Sequence, residues 1–131
     1  MSFFGKLAGH EELLRESILR NLEAILNAKR GYSAAVEVFG LGRADGYFAK
    51  RPLVEGLIKD MLEVIRCQEP RLGSPSLTLV GRDRDLWVNF ELLGTVSGEP
   101  CAFVIRFHCV FRNVQVSLSR YAPSQLGKMD Q

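Results

Sequence analysis

The sequence predicts an α+β domain in which two N-terminal amphipathic helices pack on a C-terminal, mainly antiparallel sheet of about four strands. Three observations carry this. Apolar residues recur at helical spacing through the first half of the chain and alternate with period two through the second. Between the halves stands Glu69-Pro70-Arg71-Leu72, an acid, a helix-ending proline and a guanidinium where the chain changes direction. We read that stretch as a polar anchor and a docking element. The whole, 1–131, is a single domain with a helical half over about 10–68, a sheet half over about 76–119 and a polar tail at 120–131.

From His10 to Lys29, the residues Leu14, Ile18, Leu22, Ile25 and Leu26 stack on one face of a first helix. Arg15, Glu16, Arg20, Asn21, Glu23 and Asn27 occupy the opposite face, where Glu16 and Glu23 read as solvated. Lys29 and Arg30 suit a helix C-terminus, and Gly31 can take the left-handed stop conformation. Between Gly31 and Arg51 the periodicity disappears, and Tyr32, Phe39, Tyr47 and Phe48 lie among glycines. A long loop is expected there, its aromatics either pinning it to the core or forming an interaction surface. Pro52 suits the first turn of a second helix, which presents Val54, Leu57, Ile58, Met61, Leu62 and Ile65 at helical spacing and cannot run comfortably past Pro70.

Gly73-Ser74-Pro75-Ser76 reads as a turn, after which Leu77 to Val80 forms a short strand. Leu86, Val88, Phe90 and Leu92 then alternate with Trp87, Asn89, Glu91 and Leu93. In a third strand Phe103, Ile105, Phe107, Cys109 and Phe111 face the core, while Val104, Arg106, His108 and Val110 face away. Tight connections at Ser97-Gly98-Glu99-Pro100 and Arg112-Asn113 imply an antiparallel meander that ends with Val114 to Leu118. That last strand contains no charge, is expected at an edge, and could accept a partner strand through Val114, Val116 and Leu118.

Composition bounds the function. Hydrophobic residues make up 47% and charged residues 24%, an ordinary globular balance. The formal charge of +2 is too small to imply a nucleic-acid or membrane partner by itself. The N-terminus lacks the pattern of a secretory signal, and no segment approaches the roughly 18 apolar residues of a membrane span, so a cytoplasmic location is expected. Cys67, Cys101 and Cys109 have no metal-site or disulfide spacing and read as buried free thiols.

Enzymatic signals are weak. A glycosidase needs two carboxyl groups roughly 5 to 10 Å apart across a cleft, one with a raised pKa. Glu69 and Glu91 are the acids nearest the seam, and Glu69 is more simply paired with an arginine such as Arg71 or Arg106. His10 and His108 lack companion metal ligands, no Gly-x-Ser-x-Gly elbow accompanies any serine, and neither a Walker loop nor a dinucleotide fingerprint occurs in register. Gly81-Arg82-Asp83-Arg84-Asp85 reads as a solvated turn. No catalytic residue, metal or cofactor is expected.

Three segments together resemble a known family, the small baseplate wedge proteins of contractile phage tails and their type VI secretion branch, TssE. The first helix with its exit, Glu16 to Gly31, is similar to the family's start. Phe39-Gly40-Leu41-Gly42 is similar to an aromatic-glycine-leucine segment, with phenylalanine where tyrosine is usual, and Glu69-Pro70-Arg71-Leu72 matches the Glu-Pro-Arg motif. The resemblance implies a structural protein that joins TssF and TssG in a wedge, contacts TssK-bearing assemblies and offers a platform for sheath subunits. It also implies that Glu69 and Arg71 bond to partner subunits with Pro70 fixing their presentation, and that the C-terminal strands offer an edge to the sheath. Members have been labelled lysozyme-like, so a small peptidoglycan hydrolase using Glu69 or Glu91 is the alternative.

Overall fold

A computed structural model describes residues 3–28, 31–32, 51–82, 87–108, 111 and 113–119. Its element order is α1 (Phe3–Ala28), α2 (Arg51–Gln68), β1 (Gly73–Arg82), β2 (Trp87–Val96), β3 (Glu99–His108) and β4 (Val114–Leu118). This is the predicted α+β arrangement, with helices first and strands after.

The apolar stripe of α1 buries Ile18, Leu22 and Leu26, and that of α2 buries Val54, Leu57, Met61 and Ile65. Both stripes were legible as helical spacing. The start of α1 was not, because the stretch before His10 carries Gly5 and Gly9 and offers no sustained stripe. At the other end Gly31 and Tyr32 are helical, so Gly31 does not make the expected left-handed stop. Tyr32 is buried and donates its hydroxyl proton to the Asp60 carbonyl at 3.2 Å, pinning this stretch to α2. Phe39, Tyr47 and Phe48, with the rest of the expected loop, lie outside the described residues.

The four strands pair antiparallel in the order β1-β2-β3-β4. α1 packs over the β4 side of one face and α2 over the β1 side, and the helices touch each other. Leu77, Val88, Phe90, Leu92, Phe103, Ile105, Phe107, Val114 and Val116 close the core from the sheet. Phe90 and Phe107 meet edge to face with ring centroids 5.6 Å apart.

The strand boundaries differ from expectation where turn residues do other work. Gly73 to Ser76 belongs to β1, but the register jumps between Gly73 and Ser76 and Ser74 has φ 47°. A bulge uses the same left-handed backbone as a turn, so composition alone cannot separate them. The β2–β3 connection shrinks to Ser97 and Gly98, with φ 53° and 80°, the paired positive values of a type I′ hairpin. β3 ends at His108, so Phe111 lies past the strand and is 79% exposed rather than in the core. Cys109 is outside the described residues. Of the remaining thiols, Cys101 is buried as expected and Cys67 is exposed.

Candidate functional site

The Glu69-Pro70-Arg71-Leu72 stretch closes α2. The Glu69 amide donates to the Ile65 carbonyl at 2.7 Å, completing the last helical bond, and the Leu72 amide returns to the Glu69 carbonyl at 3.3 Å. Pro70 has no amide proton to continue the ladder. Leu72 is buried against Gly94, where a Cβ would stand 2.6 Å from the leucine Cδ1 and 2.9 Å from the Gly73 carbonyl. Only glycine lets β2 approach the seam this closely.

That closure fixes the polar residues. The Glu69 side chain is 1% exposed, yet its carboxylate is saturated with donors. Arg71 grips it with a fork, Nη2 to Oε1 at 2.7 Å and Nε to Oε2 at 2.9 Å, and the Arg71 amide adds a bond to Oε2 at 3.3 Å. From α1, Asn21 Nδ2 donates to Oε1 and to the Gln68 carbonyl, both at 3.1 Å. Ser17, one turn before Asn21, accepts from Arg71 Nη1 at 2.9 Å. The motif thus locks the α2 exit to α1.

Burial alone would raise the pKa of Glu69, but the hydrogen bonds from Arg71 and Asn21 and the nearby guanidinium charge outweigh it and hold the carboxyl below its ordinary value. The arginine is in turn held more firmly protonated, first by its hydrogen bond to Glu69. Glu69 therefore pairs with Arg71 inside the chain, as the simpler sequence reading had it. The outward parts of the motif are Pro70 and the 41% exposed Arg71 side chain. A guanidinium carries five N–H donors, and the fork with its Ser17 bond uses three.

Glu91 does not join Glu69. Its neighbours Phe90 and Leu92 point into the core beneath the helices, so Glu91 lies on the opposite face of the sheet. The two acids do not face one cleft, and a carboxyl held anionic lacks the raised pKa of a general acid. No group of three or more metal-ligating side chains occurs among the described residues. His108 is a bonded sheet histidine: its Nδ1 accepts from the Phe111 amide at 3.0 Å, and its ring meets Trp87 edge to face at 4.7 Å. Arg106 covers the other side of that cluster, its guanidinium 4.6 Å from the Trp87 centroid and its Nε bonded to Asn89 Oδ1 at 3.1 Å.

The last strand is an edge strand, as expected. Val114 and Val116 bury their side chains in the core, whereas Leu118 is 37% exposed. The outward backbone of this edge is not bare. Asn27 exchanges two hydrogen bonds with Val114, accepting from its amide at 2.9 Å and donating to its carbonyl at 3.0 Å, and Glu23 Oε2 accepts from the Val116 amide at 2.9 Å. The helical spacing singles out no role for Ser17 and puts Asn21, Glu23 and Asn27 only on the face opposite the apolar stripe. Two asparagines within one helix, where that residue is a poor former, are the signal that was available.

Residues 12–100 match the family of baseplate wedge protein gp25, a span that covers more than half of the chain and takes in both helices' apolar stripes and the seam motif. The chain belongs to this baseplate wedge family. It is thereby a phage-tail-like baseplate component, from a structural family whose members work among other baseplate proteins. Comparison with curated proteins and with solved structures gave no match. No helix among the described residues is long and apolar enough to cross a membrane.

Proposed function

We propose that this wedge-family chain is the TssE-type subunit of a type VI secretion baseplate. In this role it joins TssF- and TssG-like subunits in the wedge, meets the TssK-bearing assembly, and gives sheath subunits a platform on which to polymerise in the cytoplasm. The observation that carries the reading is the seam motif. A fully buried carboxylate holds an arginine at the surface in one geometry, next to an exposed proline. Such an arginine is a preorganised donor for a partner carboxylate or carbonyl, because little side-chain entropy remains to be lost on binding. Within this reading Pro70 and Arg71 touch the partner, and Glu69 positions Arg71. On the last strand Leu118 offers the sheath an exposed contact, while the Val114 peptide groups and the Val116 amide become available only after Asn27 and Glu23 let go.

The test is co-purification of the full chain with co-expressed TssF- and TssG-like subunits from the same genome. Wild type should form a stable complex. The double variant Glu69→Met/Arg71→Met removes both charges and so avoids stranding one in the interior; it should stay folded by circular dichroism and lose the complex. A wild-type chain that binds neither subunit would overturn the assignment, and a folded double variant that still assembles would remove the motif from the interface. Incubation of the purified chain with peptidoglycan should release no fragments.

A further inference from the structure

The hydrogen-bond phase of the sheet determines which backbone groups of β4 face outward. The His108 amide donates to the Asn113 carbonyl at 3.0 Å and the Ser119 amide to the Ala102 carbonyl at 2.9 Å. With the register Arg106↔Gln115 and Val104↔Ser117, the odd-numbered residues of the last strand turn their peptide groups toward β3. Val114, Val116 and Leu118 turn theirs to the other side, where no further strand pairs among the described residues. Two of these three are met by α1. The Asn27 carboxamide supplies both a donor and an acceptor to Val114, as the peptide group of a neighbouring strand would, and Glu23 accepts from Val116.

The spacing fits. Four residues of helix rise about 6 Å, and two residues of strand advance about 6.7 Å, so side chains one helical turn apart reach alternate residues of an edge running beside the helix. Asn27 also donates to the Glu23 carbonyl at 2.8 Å, which orients its carboxamide. Within the strand itself, Val114 to Leu118 has no charge, proline or bulge. Two copies of such a strand can pair antiparallel about a two-fold axis through Val116, matching the outward groups of residues 114, 116 and 118 with those of 118, 116 and 114 in about six hydrogen bonds.

We propose that Glu23 and Asn27 form a guard on the β4 edge that keeps this chain from pairing its last strand with that of a second copy. The guard does not depend on the baseplate role and holds for the isolated protein. It is tested on the full chain as wild type, as Glu23→Ala/Asn27→Ala, and as that double variant with Gln115→Lys added. The readouts are sedimentation velocity over a range of concentrations and amide exchange at Val114 and Val116. Wild type should be monomeric with both amides protected. In dilute solution the double variant should exchange them about tenfold faster, and on concentration it should associate. Gln115→Lys sets a charge beside the edge from an exposed position and should return the double variant to monomer. A double variant with fast-exchanging amides that stays monomeric at every concentration overturns the proposal, as does wild type that already associates through β4. If the double variant does not fold, Glu23→Ala alone frees the Val116 amide and should show the same association more weakly; a monomeric single variant with a fast Val116 amide overturns the proposal equally.

Discussion

α1 fastens the molecule at two places one after the other, and they are built on opposite principles. Ser17 and Asn21 hold the Glu69–Arg71 fork at the seam, while Glu23 and Asn27 hold the β4 edge. At the seam a carboxylate is taken wholly out of water and its cost is met by a bidentate guanidinium and further donors. At the edge a carboxamide and a carboxylate meet backbone groups, and no counter-ion accompanies them in those bonds. Breaking the first leaves a charge stranded; breaking the second leaves peptide groups that water can reach. The seam therefore behaves as a fixed joint, and the edge as a contact that can be exchanged.

The sharpest break in that comparison is Arg71→Ala. It leaves the Glu69 carboxylate buried with Asn21 as its remaining side-chain donor. The expected cost is about 3 kcal/mol, at the low end for a broken buried pair because Arg71 is partly exposed and water can replace some of it. Urea unfolding of wild type and variant measures this. Arg71→Lys should recover less than half of the loss, because a point charge cannot reproduce the fork. A variant as stable as wild type would show that the fork is not a structural joint.

The contrast also explains what the sequence could and could not reveal. Helical and strand periods were visible because each depends on neighbours within a few residues, and Pro70 marked the seam for the same reason. The inward bonds of Asn21, Glu23 and Asn27 were not visible, since their partners lie between 47 and 93 residues further along. On a helical wheel these residues look like any polar flank. Phe111 was misplaced because the apolar alternation continues in sequence past His108, whereas the strand ends there. The motif itself was legible, and so was an arginine partner for Glu69; which arginine, and whether within the chain, was not, and the turn that brings Arg71 N and Nε onto Oε2 decides it.

Acid should separate the Glu69–Arg71 fork from the Asn27 bonds without a mutation. The folded-state pKa of Glu69 is depressed, so its contribution to stability is present above the unfolded value near 4.5 and is lost as pH falls through the folded value. Glu69→Gln has no proton to take up in that window. Wild type should therefore lose more stability than Glu69→Gln between pH 7 and pH 3, and the gap between them should narrow as pH falls below 4.5. A gap independent of pH would mean that the fork does not favour the anion. The carboxamide of Asn27 does not titrate, and its bonds to Val114 should persist through the same change.

The smallest effect belongs to the edge. Asn27→Ala removes the donor and the acceptor that Val114 uses, but Asn27 is exposed and both freed peptide groups can bond to water. The expected loss is about 1 kcal/mol, the ordinary net worth of a hydrogen bond of this kind and well under that of the fork. Amide exchange locates it: Val114 should speed up while the amide of Ile105, in the interior of the sheet, changes only with global stability. Were Asn27→Ala to cost as much as Arg71→Ala, the edge would be a fixed joint like the seam. Release of the guard would then require unfolding the adjoining end of α1, and a strand could not be exchanged there in the native molecule.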